Sequence, residues 1–215
     1  MGFIIACDFD GTVTSSDTII AIMQRFAPAD SQAILTQILD RTLSVKEGVT
    51  SLFNLLDSRE RQAIVEFVCK EVSIRPGFQT LLDKAQEMNI PFYIISGGMH
   101  FFIDPILNGF TGIKDVYANH VDFSGEKMQV EWRYPCDDLC ASGECGTCKP
   151  SIVRTLGNHQ VIAIGDSVTD IRLAEVADIL FTTDKLTDYA ETEGISHLPF
   201  QTFYDIAEQL EEVVR

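Results

Sequence analysis

The stretch FIIACDFDGT, residues 3–12, runs five mostly apolar residues into two aspartates one residue apart, then a glycine and a threonine. A short apolar run bounded by a turn signal reads as a buried strand. Asp8 and Asp10 then stand at its carboxyl end. Like charges a few ångströms apart repel, so the pair is costly unless a cation binds there or one carboxyl keeps its proton.

Working outward, apolar runs alternate with helical patterns. Asp17–Phe26 carries Ile19, Ile20, Ile22, Met23 and Phe26 at helical spacing. Ser44 and Glu47 make a capping-box pattern ahead of Val45, Val49, Leu52, Phe53 and Leu56. A further helix is expected over Glu60–Val72. Residues 13–75 therefore read as a small helical insertion without a convincing strand. Phe78–Met88 predicts another helix, Pro91–Ile95 a short strand ending at Ser96-Gly97-Gly98, and Met99–Leu107 a helix containing Pro105. Val116–Asn119 reads as a strand, and Val121–Trp132 as a hairpin turning at SGEK. Helices are expected over Lys149–Leu156, Ser167–Val176 and Thr202–Val214, with strands over 160–166 and Ile179–Thr182.

Strands separated by helices call for right-handed crossovers and a parallel sheet. The expected class is α/β, a Rossmann-like parallel sheet core with a small helical cap. Residues 1–12 and 76–215 make the core, 13–75 the cap, and 120–148 a hairpin plus a cysteine-rich loop inserted in the core. Ligands of such sheets sit at the carboxyl ends of the strands. There the chain places Asp8 and Asp10, then Ser96 and Gly97, then Asp166 with Asp170 four residues on. Lys149 opens a helix between the last two groups. Carboxylates at adjacent strand ends form a hard, all-oxygen site that suits Mg²⁺. The serine hydroxyl, glycine amides and lysine form a phosphate-sized electropositive cup beside it.

DFDGT, ISGG, CKPS and GDSVTD, in that order, resemble the four motifs of the haloacid-dehalogenase superfamily of phosphohydrolases, and the helical insertion resembles its C1 cap. The resemblance covers essentially the whole chain. It implies Asp8 as nucleophile and Asp10 as acid and base. Mg²⁺ would be held by Asp8, Asp10 through its backbone carbonyl, Asp166 and Asp170, the last from the first or second ligand shell. Ser96, Gly97 and Lys149 would hold the phosphoryl group. TLSVKEGV, IPFYIISGGM, CKPS with the cysteines before it, IGDSVTD and HLPFQTFY are further similar to the methionine-salvage branch of that superfamily, which dephosphorylates 2-hydroxy-3-keto-5-methylthiopentenyl-1-phosphate.

Alternatives stay open at this point. A phosphatase for phosphoserine or another small phosphomonoester is one, although Lys46–Leu56 carries no arginine for a substrate carboxylate. A stable phospho-aspartate switch is another, against which Asp10 counts because a second acid favours dephosphorylation. Asp17 is either a hinge acid facing the substrate or a helix N-cap. His100 follows a motif closely enough to approach the substrate, or sits on a helix surface. Cys136, Cys140, Cys145 and Cys148 form a cluster that closes a structural Zn²⁺ site, packs as reduced thiols, or forms redox bridges. Cys7 and Cys69 are expected to be buried bystanders.

Composition narrows the partners. With 16 basic and 32 acidic residues in 215, the formal charge of −16 argues against nucleic acid. An anionic substrate would meet an unfavourable field that only a local cation reverses. No apolar run approaches the roughly 20 residues that span a bilayer. The apolar run at Phe3 has no basic segment before it, so no leader is expected. A cytoplasmic enzyme for a small phosphorylated metabolite is the expectation.

Overall fold

In the computed structural model, which describes residues 2–40, 42–140 and 145–215, β1 (Phe3–Cys7) lies inside a seven-stranded sheet. The other strands are β2 (Phe92–Met99), β3 (Ile113–Asp122), β4 (Gln129–Glu131), β5 (Gln160–Gly165), β6 (Ile179–Thr182) and β7 (Leu198–Pro199), in the order β4-β3-β2-β1-β5-β6-β7. All pairings are parallel except β3 with β4. β1 pairs with β2 through Ile5 opposite Phe92, and with β5 through Phe3 opposite Gln160. The strand order reverses there, and the carboxyl end of β1 becomes the switch point where such folds bind ligands.

The apolar runs are continuous because both sheet faces are covered. Ile5, Cys7, Phe92, Ile94, Ile162 and Ile164 face one way, toward α5 (Phe78–Glu87) and α10 (Phe203–Val213). Phe78 anchors that layer, its ring 5.8 Å from Phe92 and 5.1 Å from Phe203. Burying one such side chain contributes about 1.5–3 kcal/mol. Ile4, Ala6, Ile95 and Ala163 face the other way, toward α7 (Lys149–Thr155), α8 (Ile171–Ala174) and α9 (Asp184–Glu193).

Four helices follow β1: α1 (Thr18–Phe26), α2 (Pro28–Leu39), α3 (Val45–Phe53) and α4 (Arg61–Glu71). The expected capping box holds α3, with Glu47 N donating to Ser44 Oγ at 3.2 Å. These helices share one apolar cluster with the sheet and with α6 (His100–Leu107), where the Phe53 and Phe101 rings lie 6.3 Å apart. The β3–β4 hairpin also docks on them. Lys127 Nζ donates to Leu55 O at 2.7 Å, Gln129 Nε2 to Asn54 Oδ1 at 2.8 Å, and Trp132 Nε1 to Thr50 Oγ1 at 3.0 Å.

Several boundaries differ from the sequence reading. β2 continues through Ser96-Gly97-Gly98 to Met99, with a register shift against β3 between Ile95 and Met99. Val116–Asn119 and the first hairpin arm are one strand, β3. The helix expected over Ser167–Val176 is a 3₁₀ turn, Val168–Asp170, followed by the single turn of α8. Cys69 is exposed, contrary to expectation, because α4 turns Ile64 and Val68 inward and the next residue points away. Among the described residues no helix is long and apolar enough to cross a membrane.

Candidate active site

At the switch point, Asp8 follows β1 with its amide donating to Ile164 O of β5 at 2.9 Å, which fixes the backbone between two strand ends. Its carboxylate is buried, and Lys149 Nζ lies 2.6 Å from Oδ1. The same ammonium lies 2.5 Å from Asp170 Oδ1. Asp170 Oδ2 accepts from the amides of Asp166 and Ser167 at 3.1 and 3.2 Å. Both oxygens of Asp170 are therefore committed to protein partners.

Asp10 lies two residues beyond Asp8 and is half-buried. Its Oδ1 accepts from the Thr18 amide at 3.2 Å, and its Oδ2 from Ser96 Oγ at 3.4 Å. Asp166 Oδ1 accepts from Thr12 Oγ1 at 2.8 Å. Gly11 permits this approach. Its φ is +83°, and a Cβ there would lie 2.4 Å from Asp166 Oδ2.

The electrostatics follow from too many acids for one lysine. Burial pushes the Asp8 carboxyl well above its ordinary range and the Asp170 charge adds to this, against the pull of Lys149. Asp10 is pushed up to about 7, first by burial and then by the Asp17 charge, while Thr18 opposes the shift. Asp166 is also pushed up to about 7, by burial and then by Asp170, with Thr12 opposing. Burial works against the Lys149 ammonium, but Asp170 and Asp8 outweigh it and hold its pKa above the ordinary value. Oxygen atoms of Asp8, Asp166 and Asp170 lie within 4.8 Å of one another. A surplus of carboxylates converging this closely is the donor set that a hard divalent cation satisfies.

The sequence profile described as haloacid dehalogenase-like hydrolase matches residues 5–175. The chain belongs to the haloacid dehalogenase-like hydrolases. A relative of this hydrolase in Bacillus pumilus is 42% identical over 212 residues, spanning 98% of this chain and 91% of that protein. Another, in Exiguobacterium sp., is 43% identical over 211 residues and spans 97% of each. Both are named 2-hydroxy-3-keto-5-methylthiopentenyl-1-phosphate phosphatase. Among solved structures, a phospho-aspartyl intermediate analogue of phosphoserine phosphatase superposes with a TM-score of 0.73 at 17% identity, over 98% of both chains. A phosphoserine phosphohydrolase-like protein from Francisella tularensis gives 0.71 at 18% identity, over 97% of this chain and 99% of that one. At those identities the likeness is one of fold.

The hydrolase thus brings Asp8, Asp10, Ser96, Lys149, Asp166 and Asp170 together. Gly97, next to Ser96 in β2, accepts through its carbonyl from Asn119 Nδ2 at 3.2 Å, and the same Nδ2 donates to Thr147 Oγ1 at 2.7 Å. Asp17 is the N-cap of α1, its Oδ1 accepting from the Ile20 amide at 2.9 Å, and its charge is also felt by Asp10 and Asp166. Of the two alternatives posed for Asp17, the N-cap is the one these contacts show. His100 pairs with Asp104 at 2.9 Å and lies against His120, with ring centroids 4.9 Å apart.

Three supporting residues escaped the sequence reading. Thr12 was legible, since it closes DFDGT. Asn119 is a buried amide at the last residue of β3 that pairs with β2, where the parallel sheet ends and the hairpin begins. Arg75 gave no signal. Its guanidinium donates to the Thr12, Gly11 and Gln201 carbonyls at 3.0, 2.7 and 3.0 Å, bracing the turn after Asp10.

Proposed function

We propose that this hydrolase is a Mg²⁺-dependent phosphomonoesterase that works through a phospho-aspartate on Asp8, and that its substrate is 2-hydroxy-3-keto-5-methylthiopentenyl-1-phosphate. The chemistry rests on one arrangement: a buried Asp8 paired with Lys149, followed two residues on by a half-buried Asp10 of raised pKa. The substrate rests on near full-length relatives of that name at 41–43% identity.

Lys149 and Ser96, with the backbone around Gly97, bind the phosphoryl oxygens. Asp8 attacks phosphorus with one carboxylate oxygen while the ester oxygen leaves, and Asp10 gives that oxygen its proton. Water then attacks the phospho-aspartate, Asp10 takes the water proton, and phosphate departs with Asp8 restored. A pKa near 7 suits both halves of this exchange, since neither form of Asp10 is scarce at neutral pH. Asp8 and Asp166, with the Asp10 backbone carbonyl, would hold Mg²⁺, whose charge would offset that of the phosphoryl group. Asp170 positions Lys149 and caps the turn after β5 rather than spending an oxygen on the metal.

We read residues 13–75 as a cap over this centre. α3 carries no arginine for a substrate carboxylate, which counts against a zwitterion, while its Val49, Leu52 and Phe53 are buried in the apolar cluster shared with the sheet. Phosphoserine is the second reading, supported by the fold of the solved neighbours.

The test is Mg²⁺-dependent phosphate release from the diketo phosphate and from phosphoserine, with Asp8→Asn as the blank. A strong preference for the diketo compound, abolished in the blank, is the expected result. Equal weak turnover of both would remove the substrate assignment, and full turnover by Asp8→Asn would remove the nucleophile.

A further inference from the structure

The four cysteines ahead of Lys149 lie outside the chemistry described so far. Two turns bring them together. Cys136 and Cys140 flank a turn closed by the Cys140 amide donating to Asp137 O at 3.1 Å. Cys145 and Cys148 have the two-residue spacing that lets one backbone turn present two sulfurs to one metal. Gly146 makes that turn with φ +71° beneath the Trp132 indole, where a Cβ would sit 2.7 Å from the ring.

The sulfur geometry is that of a single centre. All four Sγ atoms lie within 4.8 Å of one another, and Cys140 Sγ is 3.7 Å from Cys145 Sγ. A tetrahedral Zn²⁺ with Zn–S bonds of about 2.3 Å sets its sulfurs about 3.8 Å apart, whereas a disulfide holds them at about 2.05 Å. Packing alone gives little reason for the cluster. Three of the four cysteines are only half-buried, and a thiol is a weak hydrogen-bond donor.

The surroundings suit an anionic metal centre. A Zn²⁺ tetrathiolate carries two net negative charges. Arg154 is near enough to feel Cys140 and Cys148, and Arg172 near enough to feel Cys140 and Cys145. Arg154 also ties the cysteine segment to α7, donating to Asp137 Oδ2 through Nε at 2.7 Å and to Oδ1 through Nη2 at 2.6 Å. Ser151 Oγ donates to Pro135 O at 3.1 Å, and the Cys148 amide to Tyr134 O at 2.9 Å.

We propose that Cys136, Cys140, Cys145 and Cys148 hold one structural Zn²⁺ as a tetrathiolate, and that this centre fixes the backbone from which Lys149 reaches Asp8. The first part stands on the sulfur geometry alone. The second rests on the reading of Lys149 as the phosphoryl-binding lysine. Cys148 is the N-cap residue of α7 and Lys149 its first residue, so a metal bond at Cys148 restrains the lysine's own peptide unit.

Zinc content and X-ray absorption of the full chain, expressed with zinc and purified without chelator, test the site directly. One zinc per chain is expected, with four sulfur neighbours at about 2.3 Å. Cys136→Ser and Cys145→Ser should lose it, and Cys69→Ser, on the exposed face of α4, should keep it. Should the serine variants fail to fold, titrating the wild-type thiols with a mercurial reagent should still release the zinc as four of them react. Zinc-free protein, zinc on oxygen ligands, or iron in its place would each overturn the assignment. For Lys149, stripped enzyme with Mg²⁺ restored, at a temperature where it remains fully folded, should bind inorganic phosphate about tenfold more weakly. Unchanged phosphate binding would overturn the positioning role. The zinc measurement needs no turnover, so its failure is separate from failure of the phosphatase reading.

Discussion

Stripped of divalent cations, the protein is expected to lose stability as pH rises from about 5 to about 8, and Mg²⁺ is expected to restore it chiefly at the upper end. Asp10 and Asp166 both have pKa values raised from 3.8 to about 7, so the folded chain binds protons there that the unfolded chain has already released. Their contribution is fully present below the unfolded value and is lost as pH climbs through the folded one. Between about pH 5 and pH 8, by which the group has largely titrated, the loss for one such group approaches about 2.7 kcal/mol, two steps of 1.36. In a chain of this length each kcal/mol moves the melting temperature by about 2–4 °C, so one group accounts for roughly 5–10 °C.

Asp57, Asp122, Asp137, Asp205 and Glu211, whose pKa values are lowered by local hydrogen bonds and ion pairs, work in the opposite sense. They titrate mostly below about pH 5 and leave this window nearly clear. The assay is thermal unfolding across the window in chelator and in excess Mg²⁺, repeated for Asp166→Asn. The Mg²⁺-induced shift should grow with pH, and the variant should show a shallower metal-free slope. A metal-free curve that stays level or rises, or a Mg²⁺ shift equal at both ends, would refute the charge argument.

Two substitutions probe the frame. Lys149→Met leaves Asp8 and Asp170 buried without their cation, and urea unfolding at neutral pH should report a loss of about 3–5 kcal/mol, together with loss of phosphate release. Gly11→Ala places a methyl group at φ +83° against the Asp166 carboxylate; a stability loss of about 1–2 kcal/mol from the backbone alone is expected, with weaker Mg²⁺ binding by calorimetry.

The sheet was legible because its strands are buried on both faces, so FIIAC and VIAI read as unbroken apolar runs ending in acid. The carboxylates stood out at those ends for the same reason. α2 and α9 did not, because so little of either is buried: Ser31 in α2, and Leu186 and Ala190 in α9. β7 is two residues long and carries no period at all. Ser96-Gly97-Gly98 has loop composition, yet β3 pairs with β2 on either side of it, at Ile95 and again at Met99, and the segment stays within the strand. Arg75 works through backbone carbonyls, which leave no trace in side-chain pattern.

The reacting groups hang from two separate mounts, and this gives the two proposed metal centres distinguishable effects. Asp8 and Asp10 ride on β1, pinned by the Ile164 carbonyl and by Arg75 across the following turn. Lys149 rides on α7, joined to the hairpin through Asn119 and Thr147 and to the cysteine segment through Asp137 and Arg154. A lysine stem has four flexible carbons, so its ammonium is placed by where its backbone starts as well as by its partners. Loosening α7 at the cysteines should therefore weaken phosphate binding and leave the pH dependence set by Asp10 in place. Changing Asp17, whose charge raises the Asp10 pKa, should move that pH dependence while phosphate binding holds. A single perturbation of the cysteines that moved both together would mean that the two mounts are one.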